Sequence, residues 1–256
     1  MRVRGIASLK EVVVASARVA GMDLVRFTSI RHPQGRRARL MAALAIDLVV
    51  DVGANRGQFG LEIRRAGYAG RIVSIEPLAL PYQELSRLSS RDEAWATIRS
   101  AVGSEAGSAT MHVAANAGAS SSLLPMLDLH ASSAPEARFV AEERVDVATL
   151  DDLAAPHLRD AGSVFTKVDV QGYELHVLEG ASATLAASSL VQVEMSLLPL
   201  YEGGPTYRDV LQLMDQHAFR LVGLEPGFAA RTGVLLQADG LFASSDATRS
   251  LQDARS

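Results

Sequence analysis

The sequence contains no cysteine. Disulfides, thiolate zinc sites, iron–sulfur clusters and cysteine nucleophiles are therefore excluded; a reducing cytoplasm, the expected location, is permitted by this rather than shown by it. Aromatic residues are scarce, at 5% with a single tryptophan, so a core must be built mainly from Ala, Val and Leu. Neither sign of charge dominates. The net charge of −4 argues against an electrostatic footprint for nucleic acid, which is not an expected partner. Long hydrophobic runs are also missing. Lys10, Glu11 and Arg18 interrupt the apolar start of the chain, so no run reaches the ~18 residues of a membrane span. The same charges leave no uncharged stretch for a signal peptide. An amphipathic helix packed on the domain is expected there, with peripheral contact to a membrane or partner as the alternative. Arg31, Arg36, Arg37 and Arg39 are expected on a solvated turn or helix face.

What is present fits a globular protein. Apolar residues make up 48% and charged residues 21% of 256, which suits one α/β domain with a short extension. Ile46–Val52 is a nearly continuous apolar run ending at Asp51-Val52-Gly53, as expected of a buried parallel strand and a tight turn. Strand-like runs recur at Arg71–Ile75, Thr97–Val102, Val164–Val170, Leu190–Met195, Phe219–Leu224 and Val234–Phe242. Helical segments are expected at 57–67, 81–88, 173–187 and 206–217. Ser108–Val113 reads as a hairpin partner of Thr97–Val102. Residues 114–140 hold two prolines and many Ala and Ser, yet also five Leu or Met between 123 and 129. That apolar content favours a lid or active-site loop over a flexible linker. The alternation implies a parallel sheet covered on both faces. The expected partition is an N-terminal helical extension (1–45), one α/β domain (46–245) and a C-terminal tail (246–256).

In such sheets, ligands bind beyond the carboxyl ends of the strands. Four strands end in acids: Asp51, Glu76, Asp169 and Glu194. Converging carboxylates repel one another, so a ligand with hydroxyl or ammonium donors, or a metal, is expected among them. The first turn, Asp51-Val52-Gly53-Ala54-Asn55-Arg56-Gly57, places glycines where the backbone can bend sharply and approach a ligand. It lacks the G-x-G-x-x-G of a dinucleotide site, and the chain has no G-x-x-x-x-G-K-[ST] phosphate loop. Glu76 follows Asp51 by 25 positions, and a carboxylate there can accept both hydroxyls of a ribose. A ribose ligand without a pyrophosphate is the physical inference.

These stretches also carry a resemblance. DVGANRGQF, IEPLALPYQEL, SAVGS, ASSSLLPM and KVDVQGYELHVLEGA, in this order between about Asp47 and Phe242, resemble the FkbM family of S-adenosylmethionine-dependent O-methyltransferases. LLPLYEGG and LLQADGLF resemble members acting on sugars and glycolipids. The resemblance implies a Rossmann-like class I methyltransferase fold: a seven-stranded, doubly wound, mostly parallel sheet. It implies S-adenosylmethionine as cofactor and a sugar hydroxyl on a glycolipid, polysaccharide or natural product as acceptor. Asp51, Gly53, Ala54, Asn55 and Gly57 would hold the methionine portion, Glu76 the ribose, and Ser100, Ala101 and Val102 the adenine. Asp169 would face the amino end of the cofactor and the methyl-transfer zone. Gln171 departs from the family, which often has an acid there.

A sugar hydroxyl is a poor nucleophile while protonated, so a base or a hard cation is expected to help. Asp169 and Glu194 are the candidate catalytic acids and also the candidate ligands for Mg²⁺, which favours oxygen donors. The alternative is that Asp169 caps its turn and Glu194 bonds a hydroxyl or amide. His130 is the histidine best placed for a base; the plainer expectation for it is a solvated loop residue. Ser121, Ser122, Tyr201 and Glu202 are expected to face the acceptor, with an ordinary turn as the rival at Tyr201–Gly204. Glu174 is expected to favour its helix dipole, Lys167 to neutralise carboxylates, Trp95 to pack, and Asp239 to need a partner. A homodimer is an open expectation. The rival functions are a nucleotide-linked oxidoreductase, disfavoured by the glycine spacing, and a non-catalytic cofactor-binding scaffold.

Overall fold

The computed structural model describes residues 9–22, 24 and 32–253. Its centre is a sheet whose strands are the apolar runs read above. They are β1 (Leu48–Val52), β2 (Arg71–Ile75), β3 (Trp95–Ile98), β7 (Val164–Val168), β8 (Ser188–Ser196), β9 (Phe219–Pro226) and β10 (Gln237–Ser244). Their order is β3-β2-β1-β7-β8-β10-β9, with β10 alone antiparallel to the rest. The expected seven-stranded, mostly parallel sheet is present. The order reverses between β1 and β7, so the turns leaving those two strands splay apart and open a crevice.

The helices are α1 (Leu9–Val19), α2 (Pro33–Ala43), α3 (Gln58–Arg65), α4 (Ala79–Ser89), α5 (Asp128–Ser133), α6 (Leu150–Leu158), α7 (Glu174–Glu179), α8 (Ser182–Ala187), α9 (Tyr207–Gln216) and α10 (Ser245–Asp253). Among the described residues, no helix is long and apolar enough to cross a membrane. Alternation along β1 sends Leu48, Val50 and Val52 into one core cluster and Val49 into the other. Each such side chain contributes about 1.5–3 kcal/mol by leaving water. The second face changes character along the strands. At its base it holds Val49, Phe165, Leu190 and Leu241. Two residues further toward the crevice, the same face carries Asp51, Lys167, Gln192 and Asp239. A polar chamber therefore lies between the sheet's upper edge and helices α2 and α3.

Several expectations are corrected. Thr97–Val102 is not one strand. After β3 the chain breaks at Arg99-Ser100, and β4 (Ala101–Val102) joins β5 (Gly107–Ala114) and β6 (Phe139–Ala148) in a second sheet, ordered β4-β6-β5. The hairpin partner of β5 is β6. Residues 114–140 are not one loop; they contain α5 and a short 3-10 turn at Pro135–Ala137. The expected helix over 173–187 is two, because the chain turns at Gly180, where a Cβ would meet the Gly103 carbonyl oxygen at 2.3 Å. The residues after 245 form α10, whose Ala247 is buried in the core, rather than a tail. The basic cluster is not wholly solvated. Arg37 is buried, and its guanidinium pairs with Glu62 and, at 2.5 Å, with Glu225, while Arg36 donates to the Leu224 carbonyl oxygen at 2.9 Å. Arg31 lies outside the described residues.

Candidate active site

A cavity of about 340 Å³ opens at the crevice. The turn after β1 forms one wall. Gly53 has φ +78°, and a Cβ there would sit 1.8 Å from the Asp169 carbonyl oxygen, so only glycine lets the β1 and β7 turns meet. Gly53, Ala54, Asn55, Glu76 and Asp169 all line the cavity. Asn55 is left-handed at φ +48°, which an Asx side chain tolerates by bonding its own backbone. Its Oδ1 accepts from the Arg56 N–H at 2.8 Å.

Glu76 is nearly buried at 4% exposure. Its Oε2 accepts from the Asn55 N–H at 2.8 Å and its Oε1 from the Leu78 N–H at 2.9 Å. Each oxygen keeps a further lone pair, and Glu76 lines the cavity. Burial pushes its pKa up to about 7, against the lowering effect of those two amides. Ser100, Ala101 and Val102 line the same cavity, with Met111 of β5 and Leu78 completing an apolar slot. The loop at Gly118, Ala119, Ser121 and Leu123 lines the cavity above that slot, and Asn55 Nδ2 donates to the Ala117 carbonyl oxygen at 3.4 Å.

Asp169 is held by two donors. Lys167 Nζ lies 3.1 Å from its Oδ2, and Gln171 Nε2 donates to its Oδ1 at 3.0 Å. Lys167 also lies 3.6 Å from Asp51. Burial works against the charge on this lysine, but Asp169 and Asp51 outweigh it and raise its pKa. The expected neutralising role of Lys167 is therefore what the geometry shows. Gln171 sits at φ +56° and is locked from every side. Its Nε2 also donates to Glu194 at 2.5 Å, its Oε1 accepts from the Tyr201 hydroxyl at 2.9 Å, and its carbonyl accepts from the Ser122 hydroxyl at 2.6 Å.

This arrangement does not fit the Mg²⁺ expectation. Asp169 and Glu194 share the Gln171 amide nitrogen, a donor that stands where a cation would have to be, and the Lys167 ammonium takes the other side of Asp169. The second donor to Glu194 is also an amide nitrogen, Gln237 Nε2 at 2.6 Å. Among the described residues, no group of three or more His, Asp or Glu side chains is arranged to hold a metal. Glu194 is pushed well above the usual carboxylate range, first by burial and then by Asp169 and Glu174.

Most other candidates stand outside the cavity wall. Asp51 is fully buried beneath it, bonded to the Ser74 hydroxyl at 3.2 Å and paired with Lys167. Gly57 starts α3 at φ +87°, close against Leu85, Leu88 and Trp95, a packing position rather than a ligand contact. Ser122 and Tyr201 are buried behind Gln171, while Ser121 does line the cavity. Glu202 is exposed, its N–H donating to the Pro125 carbonyl oxygen at 2.9 Å. His130 is neither solvated nor in the cavity wall. It is buried, edge-on to Tyr201 at 5.2 Å and tilted on Phe228 at 5.5 Å, and desolvation lowers its pKa. Trp95 packs as expected, its Nε1 donating to Ser74 Oγ at 3.0 Å. Glu174 accepts from the Val170 and Gly172 N–H groups, so it ties the β7 turn as well as opening α7.

Sequence reasoning missed the far end of the cavity, lined by Arg37, Phe59, Glu62, Gln192 and Asp239. Arg37 Cζ and Lys167 Nζ lie 5.2 and 5.3 Å from the centroid of the Phe59 ring. The one signal was Asp239 in an apolar strand, which asked for a partner. That partner is Gln192, which bonds it, with Lys167 nearby.

Comparison with known proteins adds a family. The model of the methyltransferase FkbM domain matches residues 51–221. No curated protein matches the chain. Among solved structures, the chain is similar to a TehB-like S-adenosylmethionine-dependent methyltransferase from Corynebacterium glutamicum. The identity is 10% over 90% of this chain and 94% of that one, with a TM-score of 0.42. It is similar to an rRNA methylase from Streptococcus thermophilus at 12% identity over 84% and 98% of the two chains, with a TM-score of 0.46. An O-methyltransferase from neocarzinostatin biosynthesis, in complex with S-adenosylmethionine, aligns at 11% identity over 81% of this chain and 52% of that one, with a TM-score of 0.42.

Proposed function

The chain belongs to the FkbM methyltransferase family, and from that premise we propose that it transfers the methyl group of S-adenosylmethionine to a hydroxyl of a sugar in a glycolipid, polysaccharide or natural product. The observation that carries this reading is one cavity lined by Glu76 and Asp169 together with the β1 turn. The residues fit the cofactor. Glu76 offers a carboxylate with free lone pairs to the two ribose hydroxyls. The slot of Leu78, Ala101, Val102 and Met111 suits the faces of an adenine ring. Gly53 brings backbone within reach without a Cβ in the way.

When bound, S-adenosylmethionine supplies a methyl carbon made electrophilic by its sulfonium. The protein's own work is alignment and exclusion of water. Transfer to a hydroxyl would form an oxygen–carbon bond as the sulfur–carbon bond breaks, and the hydroxyl proton would have to leave. Asp169 is fixed by Lys167 and Gln171, and its free lone pairs can accept the hydrogen bond of the incoming hydroxyl and so direct an oxygen lone pair at the methyl carbon. With two donors already on it, Asp169 would orient and polarise the hydroxyl and accept its hydrogen bond, the proton leaving to bulk solvent once the methylated product departs. Gly118, Ala119, Ser121 and Leu123 of the loop line the cavity.

The test is incubation of the purified protein with isotope-labelled S-adenosylmethionine and separate pools of glycolipids, oligosaccharides and RNA, followed by mass spectrometry. A labelled methyl ether on a sugar is the expected product. Label found only on a nitrogen, or only on RNA, would overturn the assignment.

A further inference from the structure

Among the described residues, thirteen large apolar side chains are exposed, and they are not evenly spread. Five of them, Val12, Val13, Val19, Met22 and Leu24, fall within one short stretch. Three lie on α1. Val12, Val13 and Val19 share one side of that helix with Ser16, which is exposed as well. The covered side is different. Ala17 is buried and Val14 half-buried, three positions apart on the adjoining face. A surface helix ordinarily turns its apolar stripe to the core. This one keeps an alanine and half a valine inward and turns three valines to solvent, Val19 at 91% exposure.

The charge of the same stretch decides what fits that face. Residues 1–31 hold six cations, Arg2, Arg4, Lys10, Arg18, Arg26 and Arg31, against two acids, Glu11 and Asp23, a net charge of +4. The whole chain is −4, so the rest of it carries −8. A second copy laid on α1 would bring +4 against +4. A nucleic acid would use the cations and leave the valines in water. An anionic lipid surface uses both, its headgroups drawing the cations and its acyl boundary taking the valines. It also repels the acidic remainder of the chain, which keeps α1 foremost.

We propose that α1 is an interfacial helix that docks the protein on an anionic lipid surface, with Val12, Val13, Val19 and Met22 toward the acyl chains and the basic residues of the N-terminal stretch among the headgroup phosphates. The docking is independent of the cofactor reading and goes beyond it. α1 leads into α2, whose Arg37 lines the cavity, so docking holds the cavity near the lipid surface. An acceptor anchored in that surface by its own lipid then reaches the protein without leaving the membrane.

Sedimentation with vesicles tests this on the full chain. Vesicles of phosphatidylcholine mixed with phosphatidylglycerol should carry the protein down, and phosphatidylcholine alone should bind it about tenfold more weakly or worse. Added salt should release it. Val12→Ser combined with Val13→Ser should weaken binding about tenfold, and Arg2→Gln and Arg4→Gln about fivefold each. Both valines are exposed, so the denaturation midpoint should not move, which shows that the variant is folded. The chain has no cysteine, so single dye labels are possible. An environment-sensitive dye on Val13→Cys should shift to the blue with anionic vesicles, and the same dye on Val222→Cys, exposed on β9, should not. Protein left in the supernatant, binding that survives the valine substitutions, or a dye on Val13→Cys that stays in water overturns the proposal and leaves the cofactor reading standing. A dimer in ultracentrifugation that the valine substitutions dissociate also overturns it, and gives the face to a second copy.

Discussion

Glu76 offers a test in which stability and affinity move in opposite directions with pH. Its carboxyl is raised from 4.5 to about 7 because burial penalises the charge. A raised acid favours the protonated form in the folded state. The stability it lends is therefore present at low pH and lost as pH rises from about 4.5 through 7. The size of that loss is on the order of 3 kcal/mol. Ribose hydroxyls need the ionised form as an acceptor, so cofactor affinity should run the other way. One unit below a pKa of about 7, near pH 6, S-adenosylhomocysteine should bind about tenfold more weakly than near pH 8, and binding should release a proton. Glu76→Gln removes the titration. Its amide keeps one acceptor for the Asn55 and Leu78 N–H groups, so one of them loses its partner at a cost of about 1–3 kcal/mol. The variant should melt earlier, bind about tenfold more weakly at pH 8, and show a flat pH profile. Titration calorimetry in buffers of different ionisation enthalpy reads the affinity and the proton release, and thermal denaturation reads the melting. A wild-type affinity that does not change between pH 6 and 8, or a Glu76→Gln variant that keeps the slope, would refute the ribose assignment.

Three further outcomes are expected. Gly53→Ala puts a Cβ 1.8 Å from a main-chain oxygen at φ +78°, which should cost about 2–4 kcal/mol in urea denaturation and abolish cofactor binding; near wild-type stability would contradict the close approach of the two turns. Arg37→Met leaves two buried or half-buried carboxylates, Glu225 and Glu62, short of their main partner and should destabilise the fold by about 3–5 kcal/mol, whereas an unchanged denaturation midpoint would show that α2 is not clamped to β9. EDTA should leave methyl transfer undiminished, since amide and ammonium nitrogens already stand against Asp169 and Glu194; activity lost to the chelator and restored by Mg²⁺ would reverse that.

The central strands were legible because parallel strands buried on both faces must be continuously apolar, as Leu48–Val52 and Val164–Val168 are. The crevice was legible for a related reason: Gly53, Glu76 and Asp169 interrupt apolar runs at their carboxyl ends. The second sheet was not. Only Val145 is fully buried in β6, so its sequence FVAEERVDVA shows no clean alternation. Gly180 reads as a tolerable helix residue until the Gly103 carbonyl is placed against it. Arg37 looked like one of a solvated basic cluster because its partner Glu225 is 188 positions away. Gln171 was noticed as a departure from the family, but its bonds to Glu194 and Tyr201 come from separate strands and loops and leave no local signature. His130 shows the same limit in reverse: a polar loop residue by its neighbours, it is buried by Tyr201 and Phe228.

The central claim is that the cavity between the β1 and β7 turns holds S-adenosylmethionine. Isothermal titration of the folded wild-type protein with S-adenosylhomocysteine tests it most directly. One site per chain, weakened by Glu76→Gln, is the expected result. No heat of binding from protein shown to be folded, or binding indifferent to Glu76, would contradict it.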